Sequence, residues 1–412
     1  MAVEEHQPFG WRRTFAALRY RNYRLWFFGQ LVSLLGTWMQ GTAQGYLVYE
    51  LTHSTVYLGT VAFAAGVPSW LFMLYAGVVA DRVSRRAMLI VTQLAMLVVS
   101  AVLAVLAFTG WVQAWHLVAL GFALGVANAF DAPARQSILL ELVDRDDLTN
   151  AVALNSIMFN TATALGPAAG GMIYAWFGPG WCFTINALSF LAVLAALALL
   201  RLAPRREAPS RTSTLADLRE GLRYVAHDRR ILAILALVSI ITIFGISYVA
   251  LLPAWAVKIL HGDATTNGFL QSARGVGAVL CALAIASLGR TRIKGRLLVA
   301  GTFALPLTLL VFASLRSTPL ALVALVGVGA SLILFYSLAN TLVQTITDDA
   351  LRGRVMAVYS FTFFGFLPIG ALLAGTAAQA LTEPWIVAAG AGVILVCTVA
   401  MQLLYPGLRH LE

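Results

Sequence analysis

The sequence predicts an all-α membrane protein with twelve transmembrane helices in two six-helix bundles. Long apolar runs fill nearly all of the 412 residues, and 60% of the residues are hydrophobic while only 11% are charged. A helix needs about 20 apolar residues to cross about 30 Å of hydrocarbon. The positive charges fall on alternate connections between these runs. The predicted spans are 25–49, 55–80, 87–110, 116–135, 149–175, 181–201, 231–257, 265–288, 297–315, 319–345, 353–381 and 385–405.

The Lys and Arg residues predict the orientation. Nearly all 28 of them lie in the N-terminal tail, in the connections after even-numbered spans, or after span 12. Lys258 and Arg316 lie on the other side, and Arg274 lies inside span 8. By the positive-inside rule both termini are cytoplasmic, which requires an even number of crossings. The net charge of +10 therefore indicates contact with anionic membrane lipids and not with nucleic acid.

The chain divides at its one sizeable polar connection. The predicted parts are a tail at 1–24, a bundle at 25–202, a linker at 203–230, a bundle at 231–405 and a tail at 406–412. In the linker, Leu215, Leu218, Leu222 and Val225 recur every three or four residues, which predicts a short amphipathic helix on the membrane surface. An ordinary solvated linker is the alternative. The N-terminal tail lacks an apolar core, so no cleavable signal peptide is expected.

The two halves suggest an internal duplication. One constant shift along the chain aligns identical residues, many of which are not generic apolar residues. Two bundles related by an axis along the membrane normal form the alternating-access plan, in which substrate is held between them at mid-depth. The aligned pairs are Ala153 and Ala357, Ser156 and Ser360, Phe159 and Phe363, Gly166 and Gly370, Gly171 and Gly375, and Trp181 and Trp385.

The connection between spans 2 and 3 carries a motif. It reads Gly77-Val-Val-Ala-Asp81-Arg82-Val-Ser84-Arg85-Arg86, and it resembles the loop signature of the major facilitator superfamily except that Ser84 replaces a glycine. We expect Gly77 to allow close helix packing and Asp81 to face a helix N-terminus. The three arginines are expected to contact lipid headgroups and neighbouring loops. A solvated charged loop is the alternative.

Span 5 carries a second motif. Gly166, Pro167, Gly170 and Gly171 form a Gly-Pro-x-x-Gly-Gly core, which is similar to the antiporter signature of exporters in the same superfamily. The proline removes one backbone donor and the glycines allow a facing helix to approach closely. We therefore expect a tight contact between the bundles on the outer side. A generic glycine-rich packing face is the alternative.

Two further stretches resemble one branch of the superfamily. Residues 18–40, which begin Leu-Arg-Tyr-Arg-Asn-Tyr-Arg, and residues 128–137, Asn-Ala-Phe-Asp-Ala-Pro-Ala-Arg-Gln-Ser, are similar to enterobactin-type siderophore exporters and macrolide efflux proteins. The resemblance implies proton-coupled export of a small amphiphilic compound, siderophore or drug-like, by a monomer in the bacterial cytoplasmic membrane. Uptake by a symporter and lipid flipping on the same fold remain alternatives.

Sequence motifs for other functions are missing. No ATP-binding Gly-x-x-x-x-Gly-Lys-Ser/Thr occurs, and no His-Glu-x-x-His metal motif occurs. The six histidines lie in tails, loops or span ends. We therefore expect no enzyme, metal site or cofactor.

Charged residues inside spans are the leading candidates for transport, because burying a charge in a membrane is expensive. Asp131 and Arg135 share one face of span 4, and Asp81 lies at a similar depth on span 2. We expect these three to form a charge cluster that makes and breaks as the bundles rock, with an aspartate exchanging a proton. A static ion pair that fixes span 4 is the alternative.

The predicted substrate cavity collects polar and aromatic residues near mid-span. Arg274, with Gln271 on the adjacent turn, is expected to meet an anionic group of the substrate; the alternative is an arginine that snorkels to the interface or binds backbone carbonyls. Each of the others is otherwise explained as packing or an interhelical hydrogen bond. They are Gln30, Ser33, Trp38, Gln44, Asn155, Asn160, Tyr248, Tyr336, Asn340, Tyr359 and Phe363.

Overall fold

The computed structural model describes residues 15–201, 214–288 and 293–405, together with Gly407 and Arg409. Outside the described residues lie most of the predicted tails at 1–24 and 406–412, part of the linker at 203–230, and residues 289–292. The side chains of Asp81 and Arg82 also lie outside the described part, although their backbone is helical.

The described chain is helical almost throughout. A short 3₁₀ helix at Ala16–Arg19 precedes α1, so the end of the predicted tail is already ordered into helix. The long helices are α1 (Arg21–Thr52), α2 (Thr55–Arg82), α3 (Arg85–Phe108), α4 (Ala114–Leu142), α5 (Leu148–Phe177), α6 (Pro179–Leu199), α7 (Thr214–His227), α8 (Arg229–Ile259), α9 (Ala264–Leu288), α10 (Lys294–Ser314), α11 (Thr318–Ile346), α12 (Arg352–Ala380) and α13 (Glu383–Leu404).

The predicted spans each fall on one of these helices: spans 1–6 on α1–α6 and spans 7–12 on α8–α13. Within the described residues, ten helices are long and apolar enough to cross a membrane. Helices α1 and α5 have 32 and 30 residues, which is ample length, but neither contains a segment apolar enough to be counted with the ten. The chain is therefore a multi-pass membrane protein.

Where the structure describes every residue between two consecutive helices, the connection is short. His53, between α1 and α2, has a φ of 49° and Gly178, between α5 and α6, has a φ of 86°, which is the left-handed region where a helix commonly ends. We call the side where α1 begins and α2 ends the near face. The opposite side, where α1 ends and α2 begins, is the far face.

The helices pack mainly within each half of the chain. In the first half α1 packs on α5 and α6, and α3 packs on α4 and α6; in the second half α11 packs on α9 and α10, and α10 packs on α13. Among the described residues, the two most extensive contacts between the halves are those of α2 with α12 and of α5 with α9. These two pairs, called here the α2–α12 and α5–α9 crossings, position the candidate site between them.

The linker forms the predicted amphipathic helix, α7, and this helix packs on the near-face end of α12. Val225 is buried, whereas Leu222 stays half exposed. Arg354 of α12 donates to Asp217 at 2.8 Å and pairs with Glu220 at 2.7 Å. Helix α7 is thus attached to the second half by packing and by an ion-pair network.

Candidate functional site

The α5–α9 crossing is built on the span 5 motif. A Cβ at Gly171 would lie 3.0 Å from the Cα of Gly268 and 3.1 Å from the Cα of Thr265, both in α9. The backbone N–H of Ala168 donates to the hydroxyl of Ser272 across the same crossing, at 2.9 Å. Such approaches leave no room for a side chain, so the close contact expected between the halves is present.

The other glycines of the motif face α1. A Cβ at Gly166 would lie 2.6 Å from the Cβ of Trp38, and one at Gly170 would lie 2.8 Å from the carbonyl oxygen of Met39. Pro167 is fully inside α5, and its carbonyl oxygen approaches Gly268. The motif therefore packs α5 on α1 along one side and on α9 along another.

The α2–α12 crossing repeats this arrangement at the aligned positions. A Cβ at Gly375, which aligns with Gly171, would lie 2.8 Å from the Cα of Gly59 in α2. A Cβ at Gly370, which aligns with Gly166, would lie 2.6 Å from the carbonyl oxygen of Ile243 in α8. The aligned glycines thus make equivalent contacts in the two halves, and both crossings run from the far face to about mid-depth.

The loop motif holds the near-face ends of the first-half helices together. Arg85 pairs with Glu141 of α4 at 2.6 Å, and Arg86 donates to the carbonyl oxygen of Ala198 in α6 at 3.0 Å. Ser84 has a φ of −59° and its hydroxyl accepts from the N–H of Ala87. A glycine is therefore unnecessary at this turn, and the serine caps α3.

Two residues of the loop motif need comment. A Cβ at Gly77 would meet no described atom within 4 Å. Several neighbouring side chains lie outside the described residues, so the close packing expected at Gly77 stays a prediction. The predicted approach of Asp81 to Asp131 involves a side chain outside the described residues, so it stays a prediction.

Asp131 is the most buried charge of the candidate site, at 1% exposure. Its Oδ2 lies 3.5 Å from Nε of Arg135, as the four-residue spacing predicts. Its Oδ1 accepts from the hydroxyl of Thr92 and from the amide of Gln93, each at 2.9 Å. These two donors on α3 balance the buried carboxylate, and sequence spacing alone did not indicate them.

The predicted cavity residues of the first half divide into two groups. Gln30, Ser33 and Gln44 are buried, and Gln44 donates to the carbonyl oxygen of Leu117 at 3.1 Å. Trp38 is partly exposed and its ring meets that of Phe159 edge-on at 5.9 Å. Asn155 and Asn160 are partly exposed on α5, where they remain candidates for substrate contact.

The predicted cavity residues of the second half also form two groups. On α11 and α12, Tyr336 hydrogen bonds to Thr242 at 2.9 Å, accepts from Tyr359 through its carbonyl oxygen, and packs edge-on against Phe363. Asn340 accepts from Gln344 on the next turn of α11.

The second group lies on α8 and α9 and comprises Tyr248, Gln271 and Arg274. Tyr248 sits in the short α-helical segment between two π-helical turns of α8, a feature common at functional sites. Gln271 donates to Asn267, and its expected role beside Arg274 stays a prediction.

Sequence reasoning missed a polar cluster at the far face. Lys258, at the end of α8, pairs with Glu383 of α13 at 3.0 Å and lies over the ring of Tyr49 of α1 at 5.8 Å. Glu383 is only 2% exposed. The cluster therefore links α1 of the first half to α8 and α13 of the second. The sequence signal that could have indicated this cluster was Lys258 itself, because it and Arg316 are the two cations predicted on the side of the membrane that is otherwise poor in Lys and Arg.

Comparison with known proteins identifies the family. A family profile described as transmembrane secretion effector matches residues 12–410. The chain belongs to this family. Its resemblance to major facilitator superfamily exporters is thereby confirmed, and the protein is a membrane transporter.

Named members of known function are similar over most of their length. The multidrug efflux pump Tap of Mycolicibacterium fortuitum is 28% identical over 397 residues, covering 93% of this chain and 96% of that protein. The enterobactin exporter EntS of Escherichia coli strain K12 is 25% identical, covering 94% and 92%. The staphyloferrin A transporter of Staphylococcus aureus is 28% identical over 265 residues, covering 64% of this chain and 66% of that protein.

Solved structures share the fold of this secretion-effector transporter. A POT family transporter in complex with 5-aminolevulinic acid superposes with a TM-score of 0.76 at 10% identity, covering 94% of this chain and 96% of that one. A point mutant of the nucleoside transporter NupG superposes with a TM-score of 0.74 at 13% identity, covering 93% and 99%. At such identities the likeness concerns the fold alone.

Proposed function

We propose that this transporter exports a small amphiphilic compound, siderophore or drug-like, from the bacterial cytoplasm by alternating access, in exchange for protons. The observation that carries the proposal is the repeated pair of glycine crossings, α5–α9 and α2–α12. Two equivalent crossings allow the halves to rock as rigid bodies around a substrate held between them. The names of the relatives, two of them exporters or efflux pumps, support the direction.

The proposed architecture is twelve crossings in two six-helix bundles, α1–α6 and α8–α13, with the near face in the cytoplasm. The distribution of Lys and Arg supports this orientation, in which both termini are cytoplasmic. Helices α1 and α5 cross despite their polarity because many of their polar side chains face protein or the proposed cavity. Gln40 of α1, for example, accepts from Asn186 of α6 at 2.7 Å, and both are buried. The protein is proposed to act as a monomer in the cytoplasmic membrane, in contact with its lipids.

In the proposed cycle, the structure corresponds to the conformation closed at the far face. The glycine contacts of both crossings lie in the far halves of the helices, and Lys258 meets Tyr49 at the far ends. Substrate would reach the cavity between the bundles from the cytoplasm. The cavity is proposed to include residues of both halves: Trp38, Asn155 and Asn160 of the first, and Tyr248, Tyr336, Tyr359 and Phe363 of the second.

Proton coupling is assigned to Asp131. Its carboxylate is buried beside Arg135 and two neutral donors, so protonation would release Arg135 and change how α4 packs on α3. Asp81 of the loop motif, at a similar depth by sequence, is proposed to take part on the cytoplasmic side. A cycle in which this cluster breaks and reforms links proton movement to bundle movement.

Inside-out vesicles with an acidic lumen test the proposal. Siderophores, macrolides and other amphiphiles are added in turn while a dye reports ΔpH, and vesicles without the protein are the control. We expect one compound to dissipate ΔpH only when the protein is present. Flux of solute in the uptake direction would replace export with symport. Movement of labelled lipid without solute flux would replace it with lipid flipping.

Asp131→Asn distinguishes a role of Asp131 in proton coupling from a static ion pair with Arg135. We expect normal expression and proton-coupled transport reduced about tenfold or more, since hydrogen bonds to a charged group contribute about 1.5–3 kcal/mol. Asp146→Asn, at an exposed near-face aspartate, is the matched control. Unchanged, pH-dependent transport in Asp131→Asn would show that the pair with Arg135 is static.

A further inference from the structure

Arg274 is a partly buried cation inside a span, and it has no counterion among the described residues. It is the eleventh residue of α9, about 15 Å from the far-face end and about 20 Å from the near-face end at 1.5 Å per residue. Among the described residues it forms no ion pair, and its Nε is buried without a hydrogen-bond partner. An arginine side chain is too short to snorkel across either distance, so the two alternatives considered for Arg274, the interface and a backbone carbonyl, do not account for it.

Other buried donors without partners lie on the same two helices. Tyr248 of α8 is 3% exposed and its hydroxyl has no partner among the described residues. The segment of α8 that carries Tyr248 packs on α9. Asn267 is fully buried, and its amide nitrogen also lacks a partner. Asn267, Gln271 and Arg274 follow at i, i+4 and i+7, which puts them on one face of α9.

The neighbouring aromatic residues hold this donor set in place. Tyr248 and Trp255 of α8 both pack on Phe312 of α10, with ring centroids 6.0 and 4.4 Å apart from it, respectively. The indole nitrogen of Trp255, which is 1% exposed, is a further buried donor without a partner. The α8–α9 region therefore offers donors and one full positive charge, but none of the described carboxylates pairs with that charge.

Elsewhere in the described chain, buried charges of the spans are balanced. Asp131 has Arg135 and two donors, and Glu383 has Lys258. A charge at mid-membrane costs about 2.5–3.5 kcal/mol on insertion scales, and leaving a buried donor unpaired adds about 1–3 kcal/mol. An unbalanced cation among unpaired donors is expected where a ligand supplies the missing charge.

We propose that α8 and α9 form a subsite for an anionic group with two neighbouring oxygens, a carboxylate or a catecholate, on the exported compound. Arg274 supplies the planar fork that matches such a group. The Tyr248 hydroxyl donates to one of its oxygens, and Asn267 completes the shell on the same face of α9. This inference rests on the proposed export function and names the chemical class of its substrate.

Equilibrium binding to the purified full chain in lipid nanodiscs tests the subsite. The probes are 2-naphthoate and its neutral isostere 2-naphthamide, which differ in charge but little in shape. We expect saturable binding of naphthoate, with naphthamide at least about tenfold weaker. Arg274→Gln should weaken naphthoate about 10- to 100-fold, the range for hydrogen bonds to a charged group, and leave naphthamide unchanged. Tyr248→Phe should weaken naphthoate about 2- to 10-fold.

Arg316→Gln is the matched control. It makes the same cation-to-amide change in the second half, but the native Arg316 side chain binds backbone carbonyls at the far face. It should bind naphthoate like the wild type. Equal affinities for naphthoate and naphthamide in the wild type, or no saturable naphthoate binding, overturn the inference without any variant. So does naphthoate binding that Arg274→Gln leaves intact. If Arg274→Gln fails to fold, Tyr248→Phe and the wild-type comparison still decide.

Transport measured alongside binding separates this inference from the export function. Efflux of a cationic amphiphile, rhodamine 6G, from proteoliposomes with unchanged rate in Arg274→Gln and no naphthoate binding would leave export standing and refute the anionic subsite. Naphthoate binding that depends on Arg274, without efflux of any tested compound, would support the subsite and remove the export proposal.

Discussion

A methyl group at Gly171 tests whether the α5–α9 crossing opens during transport. In Gly171→Ala the new Cβ would lie 3.0 Å from the Cα of Gly268 and 3.1 Å from the Cα of Thr265. Carbon atoms pack at about 3.5–4.0 Å, so α9 must retreat by about 0.5–1 Å. Backbone atoms cannot turn aside as a flexible side chain would, so the strain falls on the crossing itself.

The expected magnitude follows from this overlap. Overpacking a closely packed contact costs about 1–3 kcal/mol, and the penalty applies only while the far face is closed. The equilibrium should therefore shift toward far-face opening by about 5- to 150-fold. Replacing glycine by alanine in a helix also stabilises it by about 0.5–1 kcal/mol, but that gain is the same in both conformations. Gly392→Ala shares the gain, and a Cβ there would meet no described atom within 4 Å.

Pulsed electron paramagnetic resonance measures the shift. Spin labels at Phe177→Cys and Asp263→Cys report the distance between the far ends of α5 and α9 in a variant whose three native cysteines are replaced. We expect Gly171→Ala to move the distribution to longer distances and Gly392→Ala to match the parent. Distance distributions and transport that are unchanged by Gly171→Ala would refute the view that this crossing gates the far face.

Two further predictions concern ion pairs, and a third concerns a helix cap. Lys258→Ala should lower the Tm in detergent, because Glu383 is buried and would lose its cation, a change that costs about 3 kcal/mol or more; adding Glu383→Gln should restore most of the loss. Arg354→Ala should raise hydrogen–deuterium exchange in α7 by several-fold, because two partly exposed ion pairs contribute up to about 1 kcal/mol each. Asp228→Ala should lower the Tm by removing the cap of α8, a loss of about 1 kcal/mol. Hydrogen bonds from Arg230 lower the pKa of Asp228 in the folded protein. The charged carboxylate therefore stabilises the folded state fully above the pKa of an unfolded aspartate, near pH 4, and this stabilisation is lost as the pH falls further. The Tm difference between Asp228→Ala and the wild type should narrow below that pH.

Matched variants make these predictions specific. Arg316→Ala, at the other far-face cation, should change the Tm less than Lys258→Ala, and equal losses would mean that Glu383 does not depend on Lys258. Arg219→Ala, on the exposed side of α7, should leave exchange in α7 unchanged; the same rise in both variants would count against docking through Arg354. A Tm difference for Asp228→Ala that is constant down to pH 3 would mean that the carboxylate charge does not contribute.

Local sequence patterns predicted the helices and part of the site. Because crossing a membrane requires a fixed length, apolar run length placed nearly every described helix end to within four residues. The exception is α4, which ends at Leu142, seven residues beyond the predicted end at 135. Four-residue spacing predicted the contact between Asp131 and Arg135, and glycine spacing predicted the approach of α5 to another helix. Each of these signals lies within one helix, where geometry follows directly from sequence separation.

Contacts between distant segments were not predictable in the same way. Glu383 and Lys258 belong to different helices, and each reads as an ordinary loop charge until the fold brings them together. The donors to Asp131 come from α3, and a threonine or glutamine in a span is more often a local hydrogen bond than a partner for a carboxylate. Gly77 illustrates the opposite difficulty. The motif suggested that this glycine allows close helix packing, but a Cβ there would meet no described atom within 4 Å in this conformation.

The predicted duplication is visible in the backbone contacts between the halves but not in the charges inside their spans. Gly171 and Gly375 make equivalent crossings, so each half meets the other through the same type of contact. The charges inside the spans differ: the first half neutralises Asp131 internally with Arg135, whereas the second half leaves Arg274 without a described partner. Equivalent crossings suit a motion that both halves share, and unequal charges suit two different ligands. We infer that the first half handles the proton and the second half handles the anion, so that a single rocking motion acts on both.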